Sequence, residues 1–477
     1  MGWKVSKKAR LLALFVAVFL LAGSVNSSFS ATTSSGKNPT DPFSKPHSIF
    51  VVGLTPDDSP NYWSASDSDP TSKLQKAVSD AMGYWQRISK NRFNYTVTYL
   101  FAPAGTAISH CDTIGDWQKS QIIAKISTLN PFQHLLVINP KNTCPYSGYA
   151  DVSGSRIIIK YLTSSNVAHE FGHNLGFLHS ATVSCPGDNF AAINNNCTIN
   201  SYGDDTDVMG SAVVFDGSKL SLAQQLLRFG MPKPQVALSG TFILGENAKK
   251  GTIPLLSIAT KNGTALLEFD DATQNGGLAI SPSDSPGVEI RITGSALSKQ
   301  FKGDSESGIG TLALLRLAGV DANGKCTSTC HIELRFHPGE TVQIPNSPLR
   351  IAVGSVSGKS ISVTIVTPAL IAKRVNLQAP VIKNLPAEVL NSGSELTWQS
   401  SAANKDVAGY LVYAVVPADI YGINEVHKII IGRLAPDAQS FILPNPPTGL
   451  NSWVSVAVVA FDKFGNKSPM NFVNFNG

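Results

Sequence analysis

After residue 30 the chain has no hydrophobic run near the roughly 18 apolar residues that a membrane-spanning helix needs, so nothing there reads as such a helix. Charge is scarce as well. Asp, Glu, Lys and Arg make up 15% of the residues, and 38 bases face 33 acids for a formal charge of +5. Four of those bases (Lys4, Lys7, Lys8 and Arg10) lie in the first thirty residues, where there is no acid, leaving 34 against 33 in the remainder. A mature chain so close to neutral has no global bias toward nucleic acid or anionic membranes. There is no internal repeat and no long low-complexity tract. No cysteine follows the first apolar run, which argues against a bacterial lipoprotein anchor. What is present suffices to fold: 43% of residues are hydrophobic, and 477 residues correspond to about three domains.

The N-terminus reads as a secretory signal over residues 1–30. A basic stretch (4–10) precedes an apolar run (11–22), and small residues before Ala31 offer a cleavage site. Residues 31–46, mostly Ser, Thr, Pro and Lys, read as a flexible leader. All six cysteines follow: Cys111, Cys144, Cys185, Cys197, Cys326 and Cys330. An even count in an exported chain favours disulfides, and proximity in sequence favours the pairs 111–144, 185–197 and 326–330. His331 after the last pair leaves a small metal site there as the other option.

Folded patterning begins near residue 49 with a buried type of strand. Residues 74–88 and 113–129 have helical spacing, and 95–101, 134–138 and 156–160 read as strands. This alternation predicts an α/β layer structure over 47–235. From 236 onward short alternating strands separated by Gly, Asn, Asp and Ser predict an all-β region over 236–372. A second all-β segment follows over 373–477.

The stretch that carries chemistry is HEFGHNLGFLHS, starting at residue 169. Ser164 or Ser165 can cap a helix entering it. His169 and His173 stand at i and i+4 and so share one helical face. Val167, Phe171 and Leu175 form an apolar stripe beside them. Two imidazoles on one face make a bidentate zinc site, and Glu170 can reach a water there without ligating the metal itself. Gly176 frees the chain to turn left-handed and end the helix, and His179 can swing back as a third ligand. Three neutral imidazoles leave one zinc position open, the pattern of a catalytic site. His47, His110, His134, His331, His337 and His427 lack such spacing and read as surface or structural.

The full HExxHxxGxxH pattern resembles the metzincin clan of zinc endopeptidases, which adds a downstream Met-turn. A matching stretch, YGDDTDVMG, carries Met209 thirty residues after His179. The wording of both stretches is closest to gametolysin-like peptidases, over roughly residues 47–235. The resemblance implies one catalytic Zn2+ on His169, His173 and His179, with Met209 as the floor beneath them. It implies peptide hydrolysis through a zinc-activated water, with Glu170 as general base and then general acid. It implies protein or peptide substrates outside the cell, such as matrix or cell-surface proteins. By analogy with the clan, the strand near 156–160 is the edge on which substrate lies. Residues 211–215 would line an apolar pocket, and 220–229 would close the domain. Ser211 stands where some relatives carry a tyrosine ligand, so none is expected. The leader has no cysteine, which argues against a cysteine switch.

Residues 236–372 resemble the β-sandwich that often follows such peptidases. Residues 373–477 resemble a fibronectin type III module, with Trp398 as its buried tryptophan. The expected architecture is therefore multidomain: an α/β metzincin-type catalytic domain followed by two all-β sandwich domains. Calcium is conceivable among Asp57, Asp58, Asp67 and Asp69, but no calcium motif supports it. Two other readings stay open: a matrix-binding adhesin with an inactive peptidase domain, and another zinc hydrolase such as a deformylase-like amidase.

Overall fold

The structure, a computed structural model, describes residues 41–477 apart from 64–69, 186–189, 191–192, 194–195, 205, 212–218, 231, 246–250, 262, 272–285, 295–308, 321–325, 372–376, 384–392, 401–405, 417–426, 446–454 and 475–477. The signal segment 1–30 and most of the leader lie outside the described residues, as do Asp67, Asp69 and most of the expected pocket stretch 211–215. The side chains of Cys326, Cys330 and His331 lie outside them as well.

The first layer is a five-stranded sheet. Its strands are β1 (His47–Gly53), β2 (Tyr95–Phe101), β3 (Gln133–Ile138), β4 (Gly148–Ala150) and β5 (Arg156–Ile159), in the order β2-β1-β3-β5-β4. All pair in parallel except β4, which runs antiparallel to β5. The helices α1 (Pro70–Ile88) and α2 (Thr113–Ala124) make the crossovers, and α3 (Ser164–Asn174) follows β5. Parallel strands covered on both faces need continuous apolar runs, and β1 supplies one. Ile49 and Val51 face a core with Leu74, Val78 and Trp85 of α1 and Val167 and Phe171 of α3. Val52 faces the opposite core, with Leu135, Val137 and Ile158, against Trp117 and Ile123 of α2. Trp85 Nε1 donates to the Ala168 carbonyl at 3.0 Å and ties α1 to α3.

The expectation that the strand near 156–160 forms the substrate edge is corrected here. β5 is paired on both sides, and β4 is the edge strand. Ile157, Ile158 and Ile159 are all fully buried, as an interior strand requires.

The chain then leaves the first sheet and joins a second. β6 (His179–Ser184) and β7 (Thr198–Asn200) precede α4 (Leu222–Phe229) and β8 (Gln235–Val236). β9 (Gly240–Gly245), β10 (Leu255–Thr260), β11 (Gly263–Asp270), β12 (Gly287–Thr293) and β13 (Ile309–Leu314) follow. An eight-stranded sheet runs β7-β6-β13-β12-β11-β10-β8, with the strand Arg335–Phe336 pairing β12. A four-stranded sheet made of Thr341–Gln343, Arg350–Val356, Ser360–Val366 and β9 packs on it. Ala181 and Val183 of β6 share that core with Leu267, Ile290, Val353 and Val363. The expected boundary at residue 235 therefore falls inside one sheet. Beyond it, a three-stranded and a four-stranded sheet enclose Leu396, Trp398, Tyr410, Val412, Val456 and Val458. The chain is thus predominantly β, with few helices.

Disulfides join Cys111 to Cys144 and Cys185 to Cys197, as the spacing predicts. Among the described residues no helix is long and apolar enough to cross a membrane. The disulfides agree with an extracellular protein.

Candidate metal centre

Thr163, rather than Ser164 or Ser165, caps α3. Its hydroxyl accepts from the Asn166 amide at 3.1 Å while its own backbone stays extended. The helix ends at Asn174, and Gly176 takes φ +93°. The Gly176 amide bonds back to the His173 carbonyl at 2.8 Å, and Phe177 bonds to Gly172 at 3.0 Å. A residue with a side chain is strained at that φ. The turn sends the chain straight into β6, whose first residue is His179.

The three expected ligands therefore meet. Ring centroids lie 4.8 Å apart for His169 and His173, 4.7 Å for His173 and His179, and 5.4 Å for His169 and His179. One nitrogen from each falls within 4.8 Å of the others, with the Nε2 atoms of His173 and His179 3.1 Å apart. His173 and His179 are buried, and His169 is half-buried. The outer nitrogens of His169 and His173 are occupied. His169 Nδ1 donates to the Val208 carbonyl at 2.8 Å, and His173 Nδ1 donates to Phe177 at 2.9 Å. These bonds fix the tautomer and turn the Nε2 lone pairs inward, the arrangement a metal-ligating histidine requires. Burial lowers the pKa of all three, that of His169 to about 3, and their mutual repulsion adds to the effect for His169 and His179. Uncharged imidazoles with convergent lone pairs fit a divalent metal ion.

Glu170 is 8% exposed, and burial pushes its carboxyl up to about 8. It lies against the edge strand: a Cβ on Gly148 would stand 2.6 Å from its Oε1. Met209 is fully buried, beneath the turn that bears the first two histidines. A Cβ on Gly172 would stand 2.4 Å from the Met209 sulfur and 2.9 Å from Trp85. Gly172→Ala is therefore expected to force one of them aside at a cost of about 1–3 kcal/mol, read as a lower denaturant midpoint with an unchanged m-value. The carbonyl of Met209 accepts from the Ser180 amide at 2.9 Å, which joins this turn to the strand of the third histidine.

Tyr202 is a site residue that sequence reasoning did not assign. Its ring stands 4.1 Å from that of His179 and 5.9 Å from that of His169, with 44% of the residue exposed. The available signal was its position at the head of the YGDDTDVMG stretch. His47 and His134 are buried away from the metal site and bonded to each other at 2.8 Å, as structural histidines. Asp58 pairs with Lys141 at 2.7 Å.

Neither a protein-family model nor a curated protein matches this chain. Among solved structures, it is similar to one described as a chaperone–substrate complex. That match has 13% identity and a TM-score of 0.22, and covers 35% of this chain and 28% of the other. It is also similar to the glycoside hydrolase domain of Endo-D from Streptococcus pneumoniae R6. There the identity is 14% and the TM-score 0.18, covering 50% of this chain and 36% of the other. The chain thus spans well under half of either protein, and likenesses this weak carry no argument about its fold or activity.

Proposed function

We propose that this chain is a secreted zinc-dependent endopeptidase of the metzincin type, similar to the gametolysin-like peptidases, acting on extracellular proteins. One observation carries the reading. Three buried or half-buried imidazoles, two of them oriented by outer hydrogen bonds, converge next in sequence to the buried carboxyl of Glu170, which lies against the open edge of a sheet. When bound, Zn2+ would supply Lewis-acid polarisation of the scissile carbonyl and a water whose pKa is lowered toward ~7.

The chain's own residues do the rest. His169, His173 and His179 hold the metal on three sides. Glu170 is the proton carrier: it takes the proton of the attacking water and returns it to the leaving amine. Among the described residues β4 pairs with β5 alone, so its outer edge can accept an extended peptide by β-augmentation. Gly148 lets that peptide run close past Glu170. The last segment, with Trp398 buried against Tyr410, is read as a fibronectin type III-like spacer or binder.

The test is metal-dependent proteolysis. Purified protein should hold one equivalent of Zn2+ and cleave a pool of unfolded proteins. Cleavage should stop on treatment with a chelator and return on adding stoichiometric Zn2+. Zinc bound without cleavage would favour the adhesin reading, and no zinc at all would remove the metal site.

A further inference from the structure

Arg291, on β12, is fully buried, and so are its partners. Its guanidinium lies 2.9 Å from Asp204, 2.7 Å from Glu289 and 3.1 Å from Glu268, and Nη2 donates to the Thr206 hydroxyl at 3.3 Å. None of these groups takes part in the hydrolysis proposed above. Buried ion pairs are costly to desolvate and add little net stability, so stability alone is a poor reason for this one. A guanidinium does, however, present a rigid planar fork that fixes the positions of several carboxylates at once.

Those carboxylates lead to the metal site. Asp204 accepts from the Ser180 hydroxyl at 2.8 Å, and Ser180 follows the third histidine. Asp204 also accepts from the amide and hydroxyl of Thr206 at 3.1 and 2.8 Å, and its carbonyl accepts from Ser211 at 3.0 Å. It thus braces both ends of the turn that carries Met209. Glu268 accepts from the Leu222 amide at 2.8 Å, at the start of α4. From that helix Gln224 donates to the Leu178 carbonyl, also at 2.8 Å, just before His179. The backbone repeats the link. β6 pairs in parallel with β13, His179 opposite Ile309 and Ser180 opposite Thr311, whose hydroxyls lie 3.0 Å apart.

We infer that the β-sheet region beyond residue 235 is a working part of the metal centre, with Arg291 as the positioning residue that sets His179 and Met209 through Asp204. The inference rests on the metal-site reading above and assigns the sandwich a role beyond spacing or recognition.

The test measures Zn2+ affinity of the full chain by competition with a chromogenic chelator, alongside kcat, KM and thermal stability. Asp204→Asn keeps an acceptor for Thr206 but cuts the charged link to Arg291. It should weaken Zn2+ binding about tenfold, as loss of a ligand-orienting partner does, and lower kcat with little change in KM. Arg291→Lys should restore part of both relative to Arg291→Met. Glu340→Gln breaks a comparable ion pair, 2.7 Å from Arg433, and should lower stability while leaving affinity unchanged. Should Asp204→Asn not fold, Ser180→Ala removes the hydroxyl that links the ligand strand to Asp204 and to Thr311, with every charge intact, and should weaken binding by a smaller factor. Equal affinity in wild type, Asp204→Asn and Ser180→Ala would overturn the inference. Wild type that binds Zn2+ but cuts nothing removes the peptidase reading alone, since affinity remains the readout here. Wild type that binds no Zn2+ removes both.

Discussion

Glu170→Gln is expected to lower kcat/KM by roughly 1,000-fold, the scale of a lost general acid–base, while the protein keeps its full equivalent of Zn2+. The amide has the shape of the carboxylate but cannot take the proton of the attacking water. Zinc is expected to stay, because the proposed ligands are the three histidines and not Glu170. The same variant should be more stable without metal. The Glu170 carboxyl is pushed up to about 8 by burial, and an acid whose folded pKa is raised destabilises the fold above its unfolded pKa. Near pH 7.5 that cost is on the order of 3 kcal/mol, and a neutral amide does not incur it. A higher unfolding midpoint together with lost activity is the signature of a group kept for chemistry at the expense of stability. Activity within tenfold of wild type, or zinc lost with the substitution, would remove Glu170 from the proposed role.

The three-histidine cluster could be read from the sequence because its geometry is local. The i, i+4 spacing, the glycine that takes positive φ and the histidine three residues later are all set within one helix and one turn. The edge strand could not be read in the same way. Gly148, Tyr149 and Ala150 are too few to show alternation, whereas the Ile157–Ile158–Ile159 run is conspicuous. That run, apolar on both faces, marks an interior strand, and the edge lay in the plainer segment beside it. Arg291 was invisible for a related reason. In Val288-Glu289-Ile290-Arg291-Ile292 the alternation reads as a half-exposed strand. The apolar residues do face the sandwich core, but the charged face is covered by the Met209 turn and α4. Only the tertiary arrangement, in which β6 crosses from the helix into the second sheet, puts those charges inside.

The same burial predicts how the metal-free protein responds to acid. The folded-state pKa values of His169, His173 and His179 are depressed, chiefly by desolvation, below an unfolded value near 6.5. In the window below 6.5 the unfolded chain binds protons that the folded chain refuses. Stability is therefore full above that window and is lost as pH falls through it. His169 and His179, lowered to about 3 and about 2, together amount to about 3 kcal/mol between pH 7.5 and 5.5, and His173 adds in the same direction, against a total domain stability of about 5–15 kcal/mol. In wild type Glu170 works the other way, because its penalty shrinks as pH falls toward 4.5. Glu170→Gln removes that opposing contribution; the interior His134 and His47, also lowered by burial, add to the fall with or without metal, so the part of the fall that Zn2+ abolishes reports the three ligand rings. Urea titrations of that variant after chelator treatment should give a markedly lower midpoint at pH 5.5 than at 7.5. With Zn2+ bound, the lone pairs are occupied and the midpoint should be higher and fall less over the same interval, because a metal that binds only the folded state adds its binding energy to stability. A flat apo profile would mean that the three rings are not held neutral and poised for a metal, and the centre would lose its physical basis.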